Sequence, residues 1–288
     1  MQIDGHTRMA AVVARPIRHS ISPFIHNYAF DASGINGVYV AWDIPEEDLE
    51  ESVQNVRRYD MFGINISMPY KQVVIPFLDE LDQAAELIGA VNTVVNRQGR
   101  LIGYNTDGYG FFKALEKDDG FTVKDKIMTI LGGGGAATSL IVQAALNGAK
   151  KFNIFNQTQF LEETKAKAEK YAAATGVELE VFPVEDQALI QEKILESDLL
   201  VNATSVGMDG QSMVIANNTV LPAGLRVADV IYQPFETPFL SYARSKGLKA
   251  SNGLGMLLYQ AAKAFELWTD QSMPTDQIWQ ELEKRYDV

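Results

Sequence analysis

Lys126-Ile127-Met128-Thr129-Ile130-Leu131, followed at once by Gly132-Gly133-Gly134-Gly135-Ala136-Ala137, is the stretch on which the fold turns. An apolar, β-branched run predicts a buried strand over 126–131. The Ala-rich segment 136–147, closed by Gly148 in the left-handed capping position, predicts the following helix. The four glycines between them fit G-x-G-x-x-A, with Gly132, Gly134 and Ala137 at its three small positions. The first permits a tight turn and the second lets a pyrophosphate approach the backbone. The third lets helix and strand pack closely, while the helix N-terminus faces the anion. Strand, turn and helix in that order make Gly132, Gly133, Gly134, Gly135 and Ala136 candidate dinucleotide ligands.

Downstream the same rhythm repeats. Strands are expected over 151–155, 178–182, 198–204, 226–231 and 248–252, and helices over 160–174 and 186–196. This is the pattern of a Rossmann-like, doubly wound parallel sheet. Its second strand ends in Asn156-Gln157-Thr158-Gln159. That segment holds no acid for a ribose 2′-hydroxyl and no Arg for a 2′-phosphate, which leaves NAD and NADP both open. Lys165 and Lys167, a turn or more into the next helix, are expected to be able to reach back.

Upstream the alternation is looser, and a mixed α/β domain is expected. Strands are predicted over 9–14, 38–44 and 63–67, helices over 22–32 and 46–59, and an edge hairpin from 91–96 and 100–104 around Arg97-Gln98-Gly99. The change of pattern places the substrate domain at 1–112, completed by C-terminal helices within 256–288, and the dinucleotide domain at 113–255. Helices are expected over 254–269 and 275–286.

Composition limits what such a protein does. The 288 residues are 47% hydrophobic and 22% charged, which suits a folded globular chain of about two domains. With 25 Lys and Arg against 37 Asp and Glu the net charge is −12, so nucleic acid and anionic membranes are poor partners. There is no cysteine, which excludes disulfides, thiolate metal sites and thiol catalysis. The three histidines, His6, His19 and His26, lie together near the N-terminus, so no metal site is expected. No run approaches a membrane span and Met1–Arg8 is no secretion signal, so a cytoplasmic location is expected.

Several polar residues of the first domain sit where ligands of α/β sheets bind. Ser22 with Pro23 reads as an N-cap and N1 pair, and Ser20 and Ser22 equally offer two hydroxyls to one carboxylate. His19 and His26 read as surface or packing residues. Ser67 and Lys71 follow the third strand, and Asp107 follows the hairpin.

The combined pattern resembles the shikimate dehydrogenase family along nearly the whole chain. The resemblance is carried by Ser20-Ile21-Ser22-Pro23, Asn65-Ile66-Ser67-Met68-Pro69-Tyr70-Lys71, Ala90-Val91-Asn92-Thr93 and Asn105-Thr106-Asp107-Gly108. It continues through the glycine turn, Asn202-Ala203-Thr204, Asp229-Val230-Ile231-Tyr232 and Gly253-Leu254-Gly255-Met256-Leu257-Leu258-Tyr259-Gln260. Ser-Met-Pro-x-Lys and Met-Leu-Leu-x-Gln look closest to the quinate/shikimate branch.

The resemblance implies reversible NAD(P)H-dependent reduction of 3-dehydroshikimate to shikimate, in aromatic amino acid biosynthesis, with quinate as a further substrate. It assigns Lys71 and Asp107 as the catalytic pair, both then in the substrate domain, either of which can carry the proton. Ser20, Ser22, Ser67, Asn92, Tyr232 and Gln260 match substrate ligands. Thr204 and Gly253 join Asn156, Gln157 and Thr158 on the cofactor side. Three positions depart from the family: Ala14 for Gly, Ser67 for Thr, and Gln157 for the Arg that usually grips the NADP 2′-phosphate. The last predicts that NAD serves at least as well as NADP. A dinucleotide sensor of the same fold and a dehydrogenase of another cyclic polyol are the competing readings, and the sequence is compatible with a homodimer.

Overall fold

The computed structural model describes residues 3–286. They form two compact units, Met1–Thr106 with Leu258–Val288, and Asp107–Leu257.

The first unit is built on β1 (Arg8–Ala14), α1 (Ser22–Ala32), β2 (Gly37–Asp43), α2 (Leu49–Arg58), β3 (Gly63–Ile66), β4 (Glu80–Leu81), α3 (Gln83–Ile88), β5 (Thr93–Arg97) and β6 (Arg100–Tyr104). The sheet order is β2-β1-β3-β5-β6-β4. Only β5 runs against its neighbours. β1 lies inside the sheet, and Ala10 to Ala14 are buried as a continuous apolar run, as a strand covered on both faces requires. On one face α2 presents Leu49, Val53 and Val56 to Ile64, Ile66, Val94 and Leu101.

Two expectations need correction here. The hairpin is real, with Gln98 and Gly99 both at positive φ (56° and 88°) as a tight two-residue turn demands. It is not the sheet edge, because the two-residue β4 pairs with β6. The expected helix over 46–59 begins instead as a 3-10 turn at Glu46–Asp48, and the α-helix proper starts at Leu49.

The second unit opens with α4 (Asp107–Asp119) and continues β7 (Ile127–Leu131), α5 (Gly135–Leu146), β8 (Lys151–Asn156), α6 (Leu161–Thr175), β9 (Glu178–Pro183), α7 (Gln187–Leu195), β10 (Leu199–Asn202), β11 (Arg226–Asp229), α8 (Pro238–Ser245) and β12 (Ala250–Ser251). All six strands are parallel, in the order β12-β11-β10-β7-β8-β9. The strand order therefore reverses between β7 and β10, the switch point at which such sheets bind ligands. The units divide at Asp107, six residues before the expected boundary, because α4 belongs to this sheet's packing. Its Phe111 and Leu115 are buried, and its C-terminal Asp118 and Asp119 pair with the buried guanidinium of Arg226. Two further helices, α9 (Leu254–Thr269) and α10 (Thr275–Tyr286), match their expected spans. Among the described residues no helix is long and apolar enough to cross a membrane.

Candidate functional site

In the second unit the glycine turn forms a cradle. Gly132 sits at φ +117°, a conformation side chains rarely adopt, and its N–H donates to Phe155 O at 2.7 Å. A Cβ on Gly133 would lie 2.3 Å from Asn156 Nδ2, whereas none on Gly134 or Gly135 would meet any atom within 4 Å. The second glycine of the motif thus opens on free space at the N-terminus of α5, and Ala137 at the third position is fully buried. That open space beside orphan amides is what a pyrophosphate needs, so the residues fit a dinucleotide. A cleft of about 370 Å³ runs from these glycines past Asn156, Gln157 and Phe160 to Thr204 and Ser205.

At the far end of that cleft Asn156 organises the turn after β8. Its Oδ1 accepts from Gln157 N (2.9 Å), and its Nδ2 donates to Thr164 Oγ1 (3.0 Å). Gln157 and Thr158 are exposed. The segment itself holds no acid, but one reaches it from beyond β9: Glu185 accepts from Thr158 N (3.3 Å) and Thr158 Oγ1 (2.9 Å). Of the two lysines expected to be able to reach back, Lys167 lines the cleft and pairs there with Glu163 (2.5 Å), while Lys165 pairs with Glu162 (2.9 Å) outside its lining.

The ends of β10 and β11 are tied by a buried carboxylate. Asp229 accepts from Asn202 Nδ2, Ile231 N and Thr237 Oγ1 at 3.1, 3.0 and 2.8 Å. Burial pushes this carboxyl above its ordinary value, and those three bonds oppose the shift. Asn202 Oδ1 in turn accepts from the Thr204 hydroxyl (2.7 Å), which fixes Thr204 at the cleft. Gly253 has a packing cause, since a Cβ there would lie 2.0 Å from Val230 O.

In the first unit most of the expected substrate ligands hang on one buried polar chain. Burial pushes the Tyr39 phenol well above its ordinary value, and the Ser22 hydroxyl beside it opposes that shift. Tyr39 OH donates to Asn65 Oδ1 (2.7 Å), and Asn65 Nδ2 donates to Thr93 Oγ1 (3.0 Å). Thr93 Oγ1 donates to Asn92 Oδ1 (3.0 Å), which also accepts from Thr106 N (2.8 Å). Thr106 Oγ1 then donates to Gln260 O (3.1 Å). The sequence reading missed Tyr39, Thr93 and Thr106 as parts of this chain; only the pleat alternation of β2 and β5 hinted that their side chains point inward.

The N-cap expected at Ser22 is absent. The helix begins with Ser22 itself, and Ser20 Oγ accepts from Ser22 N at 3.2 Å instead. Ser22 is therefore not spent on capping. Ser67 and Lys71 stand at the end of β3, where Ser67 N donates to Val13 O (3.0 Å) and Val91 N donates to Lys71 O (2.7 Å). The Lys71 turn is thus stitched to the strand entry that carries Asn92. Asp107 and Tyr232 belong to the second unit, so the expectation that Lys71 and Asp107 share the substrate domain does not hold. His26 is a packing residue, fully buried and stacked on Tyr39 with ring centroids 4.3 Å apart, whereas His19 is exposed.

A parallel sheet in this order, with a glycine cradle at its switch point, defines a dinucleotide-binding α/β protein; the mixed first unit, with its buried polar chain, has the polar lining of a small-molecule site. Comparison with known proteins agrees. The family description "Shikimate dehydrogenase substrate binding domain" matches residues 12–94, and "Shikimate 5'-dehydrogenase C-terminal domain" matches residues 253–283. The chain is 70% identical over 286 residues to a protein of Streptococcus mutans named shikimate dehydrogenase (NADP(+)), covering 99% of each. It is similar, at 42% identity and TM-score 0.93 over 98% of both chains, to shikimate 5-dehydrogenase of Listeria monocytogenes in complex with shikimate and NAD. A quinate dehydrogenase of Corynebacterium glutamicum in complex with NAD is more distant, at 27% identity and TM-score 0.85 over 96% of this chain and 99% of that one. The chain belongs to the shikimate dehydrogenase family.

Proposed function

We propose that the protein reversibly reduces 3-dehydroshikimate to shikimate with a nicotinamide dinucleotide. The observation that carries the reading is the buried hydrogen-bonded chain from Tyr39 through Asn65, Thr93 and Asn92 to Thr106 and the Gln260 carbonyl, beside the Lys71 turn, in a protein that also holds the Gly132–Gly135 cradle. Such a set holds hydroxyls and amides rigid, which suits recognition of a polyhydroxylated acid. Ser20, Ser22 and Ser67 are assigned to the carboxylate and hydroxyls, with Asn92, Tyr232 and Gln260.

A bound nicotinamide supplies the hydride, or takes it up in the reverse direction. What remains for the chain is the proton at the alcohol oxygen. Lys71 is assigned to donate to that oxygen and to stabilise its developing negative charge, with Asp107 as the second member of the pair; such acid–base assistance contributes about 10²–10⁴-fold. On the cofactor side Gly132, Gly133, Gly134, Gly135 and Ala136 offer backbone amides to the pyrophosphate. Asn156, Gln157 and Thr158 face the adenosine, and Thr204 and Gly253 the nicotinamide.

Gln157 in place of the family Arg favours NAD serving at least as well as NADP, while Lys167, which lines the cleft beside its partner Glu163, keeps NADP open. Relatives carry NADP in their names, while the Listeria structure holds NAD, so both cofactors are to be tested. Quinate is proposed as a second substrate. Initial rates with shikimate and quinate, each with NAD and NADP, test the whole reading. No turnover of shikimate with either cofactor would overturn it.

A further inference from the structure

We propose that Glu185, suspended from Thr158 between the ends of β8 and β9, selects the cofactor: its carboxylate favours a free ribose 2′-hydroxyl and opposes a 2′-phosphate. The inference rests on the reading of the second unit as a dinucleotide site.

In doubly wound sheets the residue that reads the adenosine ribose ordinarily stands at the end of the second strand. Here β8 ends in Asn156-Gln157-Thr158-Gln159, which offers amides and one hydroxyl. The neighbouring strand brings a charge to the same place. Asn156 pairs with Pro183, and Val184 N donates to Asn156 O at 2.9 Å, so the β8–β9 register continues one residue past the strand ends. Glu185 is then set against Thr158, whose N–H and hydroxyl take one carboxylate oxygen each (3.3 and 2.9 Å). This two-point hold orients a long, exposed side chain that would otherwise sample many rotamers.

Charge bookkeeping around the turn points the same way. Its own backbone N–H first, then the Thr158 hydroxyl and amide, lower the Glu185 carboxyl below its ordinary value, so it is negative at neutral pH. None of these donors neutralises it. Lys167, which lines the cleft, is paired with Glu163 one helical turn earlier, and Lys165 with Glu162. Asp186, the next residue, is committed to Leu189 N at the start of α7. A 2′-phosphate carries close to two negative charges. It would therefore meet the Glu185 carboxylate already aimed by Thr158, while the cleft lysine is shared with Glu163.

The experiment is direct binding of NAD⁺ and NADP⁺ by calorimetry to the whole protein, without substrate, for the wild type, Glu185→Gln and Glu185→Lys. Gln keeps an oxygen for the Thr158 donors, so the turn stays intact. The expected result is that Glu185→Gln tightens NADP⁺ by about three- to tenfold while NAD⁺ changes less, and that Glu185→Lys shifts the ratio further, as one or two exposed charge–charge interactions would. An unchanged ratio of the two Kd values in both variants, with melting temperatures unchanged, overturns the role of Glu185 alone. Failure of the wild type to bind either dinucleotide overturns the reading beneath it as well.

Discussion

Gly134→Ala separates folding from cofactor binding. At Gly134 the backbone is extended (φ −79°, ψ −168°), which any residue adopts, and an added Cβ meets nothing within 4 Å. The protein itself therefore has room for the methyl group. Alanine is a poorer N-cap than glycine by a fraction of a kcal/mol, but it lowers the entropy of the unfolded chain by about 0.4–1 kcal/mol. The two effects oppose each other, and stability should stay within about 1 kcal/mol, a few degrees of Tm. The same methyl occupies the space through which a pyrophosphate must reach the orphan amides of α5. Overlap of that kind costs about 1–3 kcal/mol, which is about fivefold to a hundredfold in Kd. Gly133→Ala is the contrasting case, since its Cβ would lie 2.3 Å from Asn156 Nδ2 and must disturb the fold as well. Calorimetric titration with NAD⁺ and a thermal melt on both variants give the answer. Unchanged NAD⁺ affinity in a normally folded Gly134→Ala protein would refute the cradle.

Lys71→Ala and Asp107→Asn are each expected to lower kcat by at least about 10²-fold, with dinucleotide Kd nearly unchanged for Lys71→Ala, which lies in the first unit; wild-type turnover in either variant removes that residue from the pair. Tyr39→Phe leaves the buried Asn65 Oδ1 without its donor, costing about 1–3 kcal/mol in urea unfolding and raising KM for shikimate, and an unchanged KM would show that the chain only supports the core. Burial, with no hydrogen-bond partner on either ring nitrogen, lowers the His26 pKa from 6.5 to about 3. The unfolded chain therefore binds the proton first: this stabilisation is whole above pH 6.5 and falls by about 1.4 kcal/mol per unit as pH drops toward 3. His26→Phe should flatten the slope of unfolding free energy against pH between 4 and 6.5, and an equal slope would place the proton elsewhere.

Local pattern was enough for the elements whose identity rests on chain-local physics. Helices 22–32, 254–269 and 275–286 have their expected bounds, and the strand–glycine–helix unit at 126–147 is displaced by a single residue, because apolar spacing and glycine torsions act within a few residues. The short β4, α3 and α8 escaped notice, since two to eight residues carry too little periodicity to register. A different cause hid the longer α4: two glycines near its start made residues 108–120 read as a change of pattern.

The sequence by itself determined the two sheet types, the phosphate-binding turn and the short motifs that carry the family. Those features are written in neighbouring residues, where torsional preference and alternation of polarity suffice. Only the tertiary structure decided what those motifs lean on. Tyr39, Asn92 and the Gln260 carbonyl are joined through Asn65, Thr93 and Thr106 across separations of up to 154 residues, and Glu185 reaches Thr158 across 27. No periodicity encodes such contacts. The shorter of them exist because parallel strands are joined by long crossovers, and the longest because the whole second unit is inserted in the chain between Thr106 and Leu258.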